Sequence, residues 1–259
     1  MSSIACPLNR LWRIAATGFC FSLFGLGGLL LSLVWFNLLL VFVRNPISRR
    51  RVARRSISLS FRVFLRIAAL LGVLDYRFYG LSKLRQDEGC LVVANHPSLL
   101  DYVLIASVMP ETDCMVKSAL LNNPFVSGVI RCADYLLNDE AGNLLPHSRE
   151  RLSRGDCILI FPEGTRTRPG ESMKLQRGAA NIAVRCSSDV RIVTLSCSER
   201  MLDKQSKWYD VPAIKPIFTV NVGEKIAIDR FLNAELQEPA IAARRLNRHL
   251  LYKLQANPE

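Results

Sequence analysis

The first 74 residues contain no aspartate or glutamate, and from Ile14 to Val43 there is no charged side chain of either sign. So long an uncharged stretch does not fit a cleaved secretory leader, whose apolar core runs about 7–15 residues before a small-residue cleavage site. Here the run ends in VFVRNP. Histidine is scarce, occurring only at 96, 147 and 249. None of the eight cysteines (6, 20, 90, 114, 132, 157, 186 and 197) forms a C-x-x-C pair, which argues against a zinc site. There is no G-x-S-x-G elbow, which disfavours a serine hydrolase of the α/β type. No internal repeat and no low-complexity tract is present.

What is present is 259 residues, 50% hydrophobic and 22% charged, with a mean hydropathy of +0.18. That is slightly too apolar for an ordinary soluble domain and too short for a transporter of many spans. The net charge of +12 is unevenly placed. Ten arginines fall in residues 1–74, leaving 24 bases against 22 acids in the remainder. A nucleic-acid-binding domain spreads its basic residues over a folded face. Here the excess lies beside an apolar run, so a membrane is the expected partner and nucleic acid is not.

Thirty uncharged residues from Ile14 to Val43 exceed the roughly 20 that one span needs. The segment reads either as a tilted transmembrane helix or as a re-entrant hairpin bent at Gly25, Gly27 and Gly28. Its C-terminal flank, RNPISRRRVARR, carries six arginines. They place that side in the cytoplasm and offer a ring of cations to lipid headgroups. SISLSFRVFLRIAALLGVL follows with apolar residues at helical spacing. It suits an amphipathic helix lying either on the bilayer or on the folded domain. The composition shifts at Asp75, dividing a membrane-embedded region (1–74) from a catalytic domain (75–259). The cysteines that fall in apolar runs read as reduced and buried in a cytosol-facing protein.

After that boundary, strand-like runs at 75–80, 90–95, 114–117, 133–137, 157–161, 191–197 and 216–228 alternate with helical patterns at 97–109, 145–155, 173–186 and 234–255, the last divisible at Pro239. The alternation predicts an α/β domain with a mixed, largely parallel sheet flanked by helices. In such folds polar chemistry gathers where strands end. Two places qualify.

LVVAN runs into HPSLLD, placing His96 at a strand–helix junction and Asp101 five residues on. A carboxylate there can fix the imidazole tautomer through one ring nitrogen and leave the other as a base. His147 and His249 have leucine at that spacing. CILIF runs into PEGTRTRPG, where Gly164 permits close backbone approach and Glu163, Thr165 and Arg166 offer an acceptor, a hydroxyl and a guanidinium fork suited to phosphate or carboxylate. Alone, each place also reads as ordinary structure: a helix-start histidine, and a turn with a satisfied ion pair.

Taken together, NHPSLLD (95–101) and FPEGTR (161–166) behind an apolar anchor resemble the lysophosphatidic acid acyltransferase family over roughly residues 75–230. The resemblance implies transfer of a fatty acyl group from acyl-CoA or acyl carrier protein, as co-substrate, to a lipid hydroxyl, with no cofactor and no metal. It implies His96 as general base, Asp101 as its orienting partner, and Glu163, Gly164, Thr165 and Arg166 as the acceptor-binding block. Membrane lipids become the partners and the cell's inner membrane the location, with the catalytic domain on its cytoplasmic side. Backbone amides near the helix start are candidates to hold the oxyanion, and Lys174 and Arg177 are further candidate anion contacts. Two positions depart from the family pattern: Asn138 stands where an arginine usually ends the second block, and Thr194 where the fourth block usually carries proline. They leave His96 untouched and open the choice of acceptor between 1-acylglycerol-3-phosphate and another lipid hydroxyl, such as an ornithine-type lipid, a glycolipid or a polyene lipid. The competing reading from another class is a lipid-binding scaffold without catalysis.

Overall fold

The computed structural model describes residues 7–123, 125–138, 144–232 and 238–256. Among these, the seven apolar runs form β1 (Asp75–Tyr79), β2 (Leu91–Ala94), β3 (Asp113–Lys117), β4 (Leu136–Asn138), β5 (Ile158–Ile160), β6 (Val190–Cys197) and β7 (Ile217–Ile226). They join in one sheet of order β1-β7-β6-β2-β5-β3-β4. Every neighbouring pair is parallel except β6 and β7, so the sheet is mixed and largely parallel, as the alternating pattern predicts.

The central strand β2 is buried on both faces, which only a sheet covered on two sides permits. Val92 and Ala94 face a core shared with Leu159, Val193 and Phe218 and closed by α3 (Pro46–Leu70) and α5 (Asp101–Val108). Leu91 and Val93 face the opposite core with Ile158, Ile160 and Ile192, closed by α7 (Leu144–Ser153), α8 (Gly178–Cys186) and α9 (Pro239–Gln255). Each such Val, Leu or Ile contributes about 1.5–3 kcal/mol by leaving water. The seven described cysteines are free and five are buried; Cys6 lies outside the described residues.

Two helices start later than their periodicity predicts. Residues 97–100 make a hydrogen-bonded turn before α5, and residues 173–177 run beside the 161–166 loop, with the Gln176 amide donating to the Pro162 carbonyl at 2.7 Å. Pro239 sits in the first turn of α9, so it opens that helix rather than dividing it; residues 234–237 lie outside the described residues.

The N-terminal apolar segment forms one continuous run: α1 (Pro7–Leu30), a π-helical turn (Leu31–Trp35) and α2 (Phe36–Phe42). Chain direction does not reverse at Gly25, Gly27 and Gly28, which lie inside α1, so the re-entrant bend expected as one alternative does not form there. Asn9–Phe42, with a mean hydropathy of 2.1, is long and apolar enough to cross a membrane. It lies along the domain. Ala16 and Cys20 pack with Leu65 and Ala68, Phe24 stacks on Phe61 at 6.1 Å, and Phe36 and Leu39 pack with Ala53 and Ile130. At α6 (Ser127–Ala133) the approach is close enough that a Cβ on Gly128 would lie 2.5 Å from Ser32 Oγ. The opposite side leaves Phe19, Leu26, Leu30, Val41 and Phe42 exposed.

Asn45 caps α3, its side-chain oxygen accepting from the Ile47 and Ser48 amides, and Pro46 occupies the first turn. The arginines that follow are not simply a ring of free headgroup cations. Arg54 is buried 2.7 Å from Asp113 and donates to the carbonyls of Ala133, Glu111 and Asp134. Arg50 pairs with Asp156 at 3.3 Å, and Arg55 with Glu111 at 2.6 Å. Acids of the α/β domain therefore neutralise part of a charge that has no counter-ion in its own segment.

Candidate active site

Strands β2 and β5 are parallel neighbours, with Val93 paired to Ile160. His96 and Glu163 each lie three residues beyond that pair, so the two motifs leave the sheet side by side at its carboxyl edge. The His96 amide donates to Glu163 Oε1 at 2.6 Å, and the Thr167 amide donates to the His96 carbonyl at 3.3 Å. Thr167 Oγ1 donates to the other oxygen of Glu163. Glu163 is buried, and both its oxygens are engaged in tying the two loops together. Burial raises its carboxyl pKa, opposed by the His96 amide and the His96 ring.

His96 Nδ1 lies 2.8 Å from Asp101 Oδ2. The same oxygen accepts from the Ser98 amide at 2.7 Å, and Asp101 Oδ1 accepts from Ser98 Oγ at 2.7 Å. Asp101 is fully buried. Burial raises its pKa, and the hydrogen bonds from His96 and Ser98 pull it back. An acceptor on Nδ1 fixes the tautomer with its proton there, leaving Nε2 with a lone pair. The imidazole is 22% exposed and stacks on Phe161, with ring centroids 4.5 Å apart.

The amides of the turn before α5 are already taken. His96 donates to Glu163, Ser98 to Asp101, Leu99 to the Leu202 carbonyl and Leu100 to Ser98 Oγ; Pro97 has none. The donors of this turn therefore stabilise the turn itself.

Gly164 has φ of +68°, the left-handed region that glycine adopts without strain. It turns the chain into an open cavity of about 290 Å³ lined by Glu163, Thr165, Arg166, Thr167, Glu171, Ser172, Lys174 and Lys204. Thr165 is exposed on its wall. Arg166 donates through Nη1 to the carbonyls of Leu202 and Asp203 at 3.1 and 3.0 Å, which holds its guanidinium at the cavity. Glu171 pairs with Arg168 at 3.3 Å, whereas Lys174 and Lys204 have no ion-pair partner among the described residues. The cavity is cationic in balance. Arg177 is exposed at the start of α8 and does not line it.

Asn138 ends β4 at the sheet's far edge, with β3 between it and β5. Thr194 lies within β6, opposite Asn221. Among the described residues no cluster of three His, Cys, Asp or Glu side chains could hold a metal ion. Sequence reasoning missed Asn95, whose side-chain amide brackets Leu195 and extends the β2–β6 ladder to the edge of the site. It also missed Ser98, although S-x-x-D before an apolar run is a helix-start signature. Lys204 carried no local signal.

The Acyltransferase family model matches residues 75–198, the stretch from β1 to the end of β6 that contains both loops. A putative 1-acyl-sn-glycerol-3-phosphate acyltransferase of Caenorhabditis elegans is 30% identical over 139 residues, covering 51% of this chain and 49% of the relative. The 1-acyl-sn-glycerol-3-phosphate acyltransferase of Helicobacter pylori is 30% identical over 127 residues, covering 46% and 54%. The chain spans about half the length of the curated relatives it matches. The crystal structure of PlsC, the 1-acyl-sn-glycerophosphate acyltransferase of Thermotoga maritima, shares the fold with a TM-score of 0.65 at 18% identity, over 96% of this chain and 99% of that one. The stretch that carries both motif loops is thus similar to acyltransferase domains. Within that class, the relatives it matches are 1-acyl-sn-glycerol-3-phosphate acyltransferases.

Proposed function

We propose that the protein moves a fatty acyl group from the thioester of acyl-CoA or acyl carrier protein to the hydroxyl of a lysophospholipid at a membrane, 1-acylglycerol-3-phosphate before others. The observation that carries this reading is the His96–Asp101 pair, with Nε2 free, opening beside a cationic cavity. His96 Nε2 takes the proton of the acceptor hydroxyl as its oxygen attacks the thioester carbonyl. The tetrahedral intermediate collapses with loss of the thiolate, which receives the proton back from the imidazolium. No acyl-enzyme forms. Positioned base catalysis of this kind contributes about 10²–10⁴-fold. Asp101 keeps the proton on Nδ1 and stabilises the transient imidazolium. Arg166 and Lys174 draw the acceptor's anionic headgroup, and Glu163 acts through position, fixing the His96 backbone.

The exposed apolar side of α1 and α2 supports a seat in the bilayer, with the catalytic domain on the cytoplasmic face. Asn138 favours a second reading on the acceptor alone, because it stands where the family pattern has an arginine: the same transfer onto a non-phosphatidate lipid. An assay with labelled acyl-CoA or acyl carrier protein against a panel of lyso-lipids separates them. Transfer to 1-acylglycerol-3-phosphate supports the first reading, and transfer confined to another hydroxyl supports the second. Lipid binding without turnover by any acceptor would leave a scaffold.

A further inference from the structure

The loop at 198–216, between the antiparallel strands β6 and β7, contains neither helix nor strand. It is longer than the roughly 12–15 residues beyond which such loops are usually functional. Its inner part is fastened to the site. The Leu202 carbonyl accepts from the Leu99 amide at 3.0 Å and from Arg166, and the Asp203 carboxylate accepts from the Gln205 and Ser206 amides at 2.8 Å each. Lys204 lines the cavity beside Arg166.

Its outer part is fastened to the apolar helix. The Arg13 guanidinium donates to the Pro212 carbonyl. The Trp208 ring covers Gly18, coming within 3.1 Å of where a Cβ would stand, and lies 6.5 Å from the Phe21 ring. Yet Trp208 is 46% exposed, Tyr209 43% and Ile214 65%. The indole N–H groups of Trp12 and Trp35 donate to Leu71 and Ser56, whereas that of Trp208 has no partner among the described residues. Lys207 lies over the Tyr209 ring at 5.5 Å.

Two half-exposed aromatics beside lysines, continuous with an exposed apolar helix, have the composition of a membrane–water interface. Ring bodies there sit among acyl carbons, N–H and O–H groups meet headgroups, and lysines meet lipid phosphates. We infer that the tip of this loop, Trp208, Tyr209 and Ile214, is a second lipid-bilayer contact, seated in the headgroup layer beside α1, with Lys204 at its root facing the route from that layer to the site. The inference rests on the membrane reading proposed above and adds a contact outside the N-terminal helices.

The test uses the full chain with Trp12→Phe and Trp35→Phe, leaving Trp208 as sole tryptophan, mixed with phosphatidylglycerol-containing vesicles carrying bromine at graded acyl depths. A companion with Trp35 alone reports on the apolar helix. Trp208 quenching that is strongest from the shallowest bromines is the expected result. Quenching of Trp35 without Trp208 would overturn the loop contact and leave the membrane reading standing. Quenching of neither would overturn both. A second measurement guards against misfolded variants: Ile214→Glu in the natural background should lower vesicle cosedimentation several-fold, while Ile241→Glu, also exposed but on α9, should not. Equal behaviour of those two variants would contradict the proposal.

Discussion

At the residue scale, the proposed chemistry turns on how His96 is held. Three hydrogen bonds converge on a fully buried Asp101 carboxylate, and only one comes from the imidazole. Asp101→Asn therefore keeps an oxygen for both the Ser98 amide and Nδ1 but removes the negative charge. With the negative charge that stabilises the imidazolium gone, turnover should fall about 10²–10⁴-fold with acceptor affinity little changed. Steady-state kinetics check this: a rise in KM with kcat preserved would move Asp101 out of the proposed mechanism. Glu163→Gln should behave differently. Its two bonds are positional, so the amide can still accept from the His96 N–H, and kcat should fall far less than in Asp101→Asn.

At the element scale, α3 is bolted to the α/β domain by a buried ion pair. Breaking such a pair from one side costs about 3–5 kcal/mol, because the other charge stays buried alone. Arg54→Ala should lower unfolding stability by about that amount in denaturant titrations, far more than loss of the exposed Arg55–Glu111 pair, worth about 0–1 kcal/mol. The Asp113 carboxyl is pushed up to about 6 by burial, against the pull of Arg54. A carboxylate raised on folding binds its proton more tightly in the native state. Its stabilising contribution is full below the unfolded pKa and declines as pH rises towards 6. The stability difference between wild type and Asp113→Asn should therefore fall between about pH 4 and pH 6 and stay level above. A difference that grows over that range would contradict the direction. Gly128→Ala tests the seam with the apolar helix: its Cβ would meet the Ser32 backbone oxygen at 2.6 Å as well as the hydroxyl. Overpacking of that kind costs about 1–3 kcal/mol.

The same scale shows what could be read from the chain beforehand. Each strand was visible because β2, β5 and β6 are short, buried apolar runs ended by polar residues. The motif loops were visible because they follow such runs directly. Helix starts were less so. At Ser98 and at residues 173–177 the deciding hydrogen bonds go to Asp101 and Pro162, and periodicity carries no trace of the second. Lys204 was invisible for a larger reason. It reaches the site through a long loop whose course is set by Arg166 and by α1, elements distant in sequence. The arginines after Pro46 looked like headgroup cations because their acids, Asp113 and Asp156, come some sixty or more residues later.

At the scale of the whole molecule, one end of the sheet gathers the imidazole, the cationic cavity and the loop that reaches the apolar helix. The opposite core, under α7, α8 and α9, is ordinary packing that holds β2 and β5 in register. Because acids of the domain already pair several of the basic arginines, attachment to lipid should rest on apolar burial more than on charge. Cosedimentation with vesicles should persist at 1 M salt, where screening shrinks to about 3 Å; release by salt alone would reassign the contact to surface charge.

The most direct measurement of the central claim is transfer of labelled acyl chains from acyl-CoA or acyl carrier protein to lyso-lipids by the folded protein, with His96→Ala beside it. The expected result is transfer by the wild type and a loss of about 10²–10⁴-fold in the variant, with its thermal unfolding unchanged. Equal transfer by both proteins would contradict the account, because the reaction would then proceed without the imidazole that Asp101 holds in place.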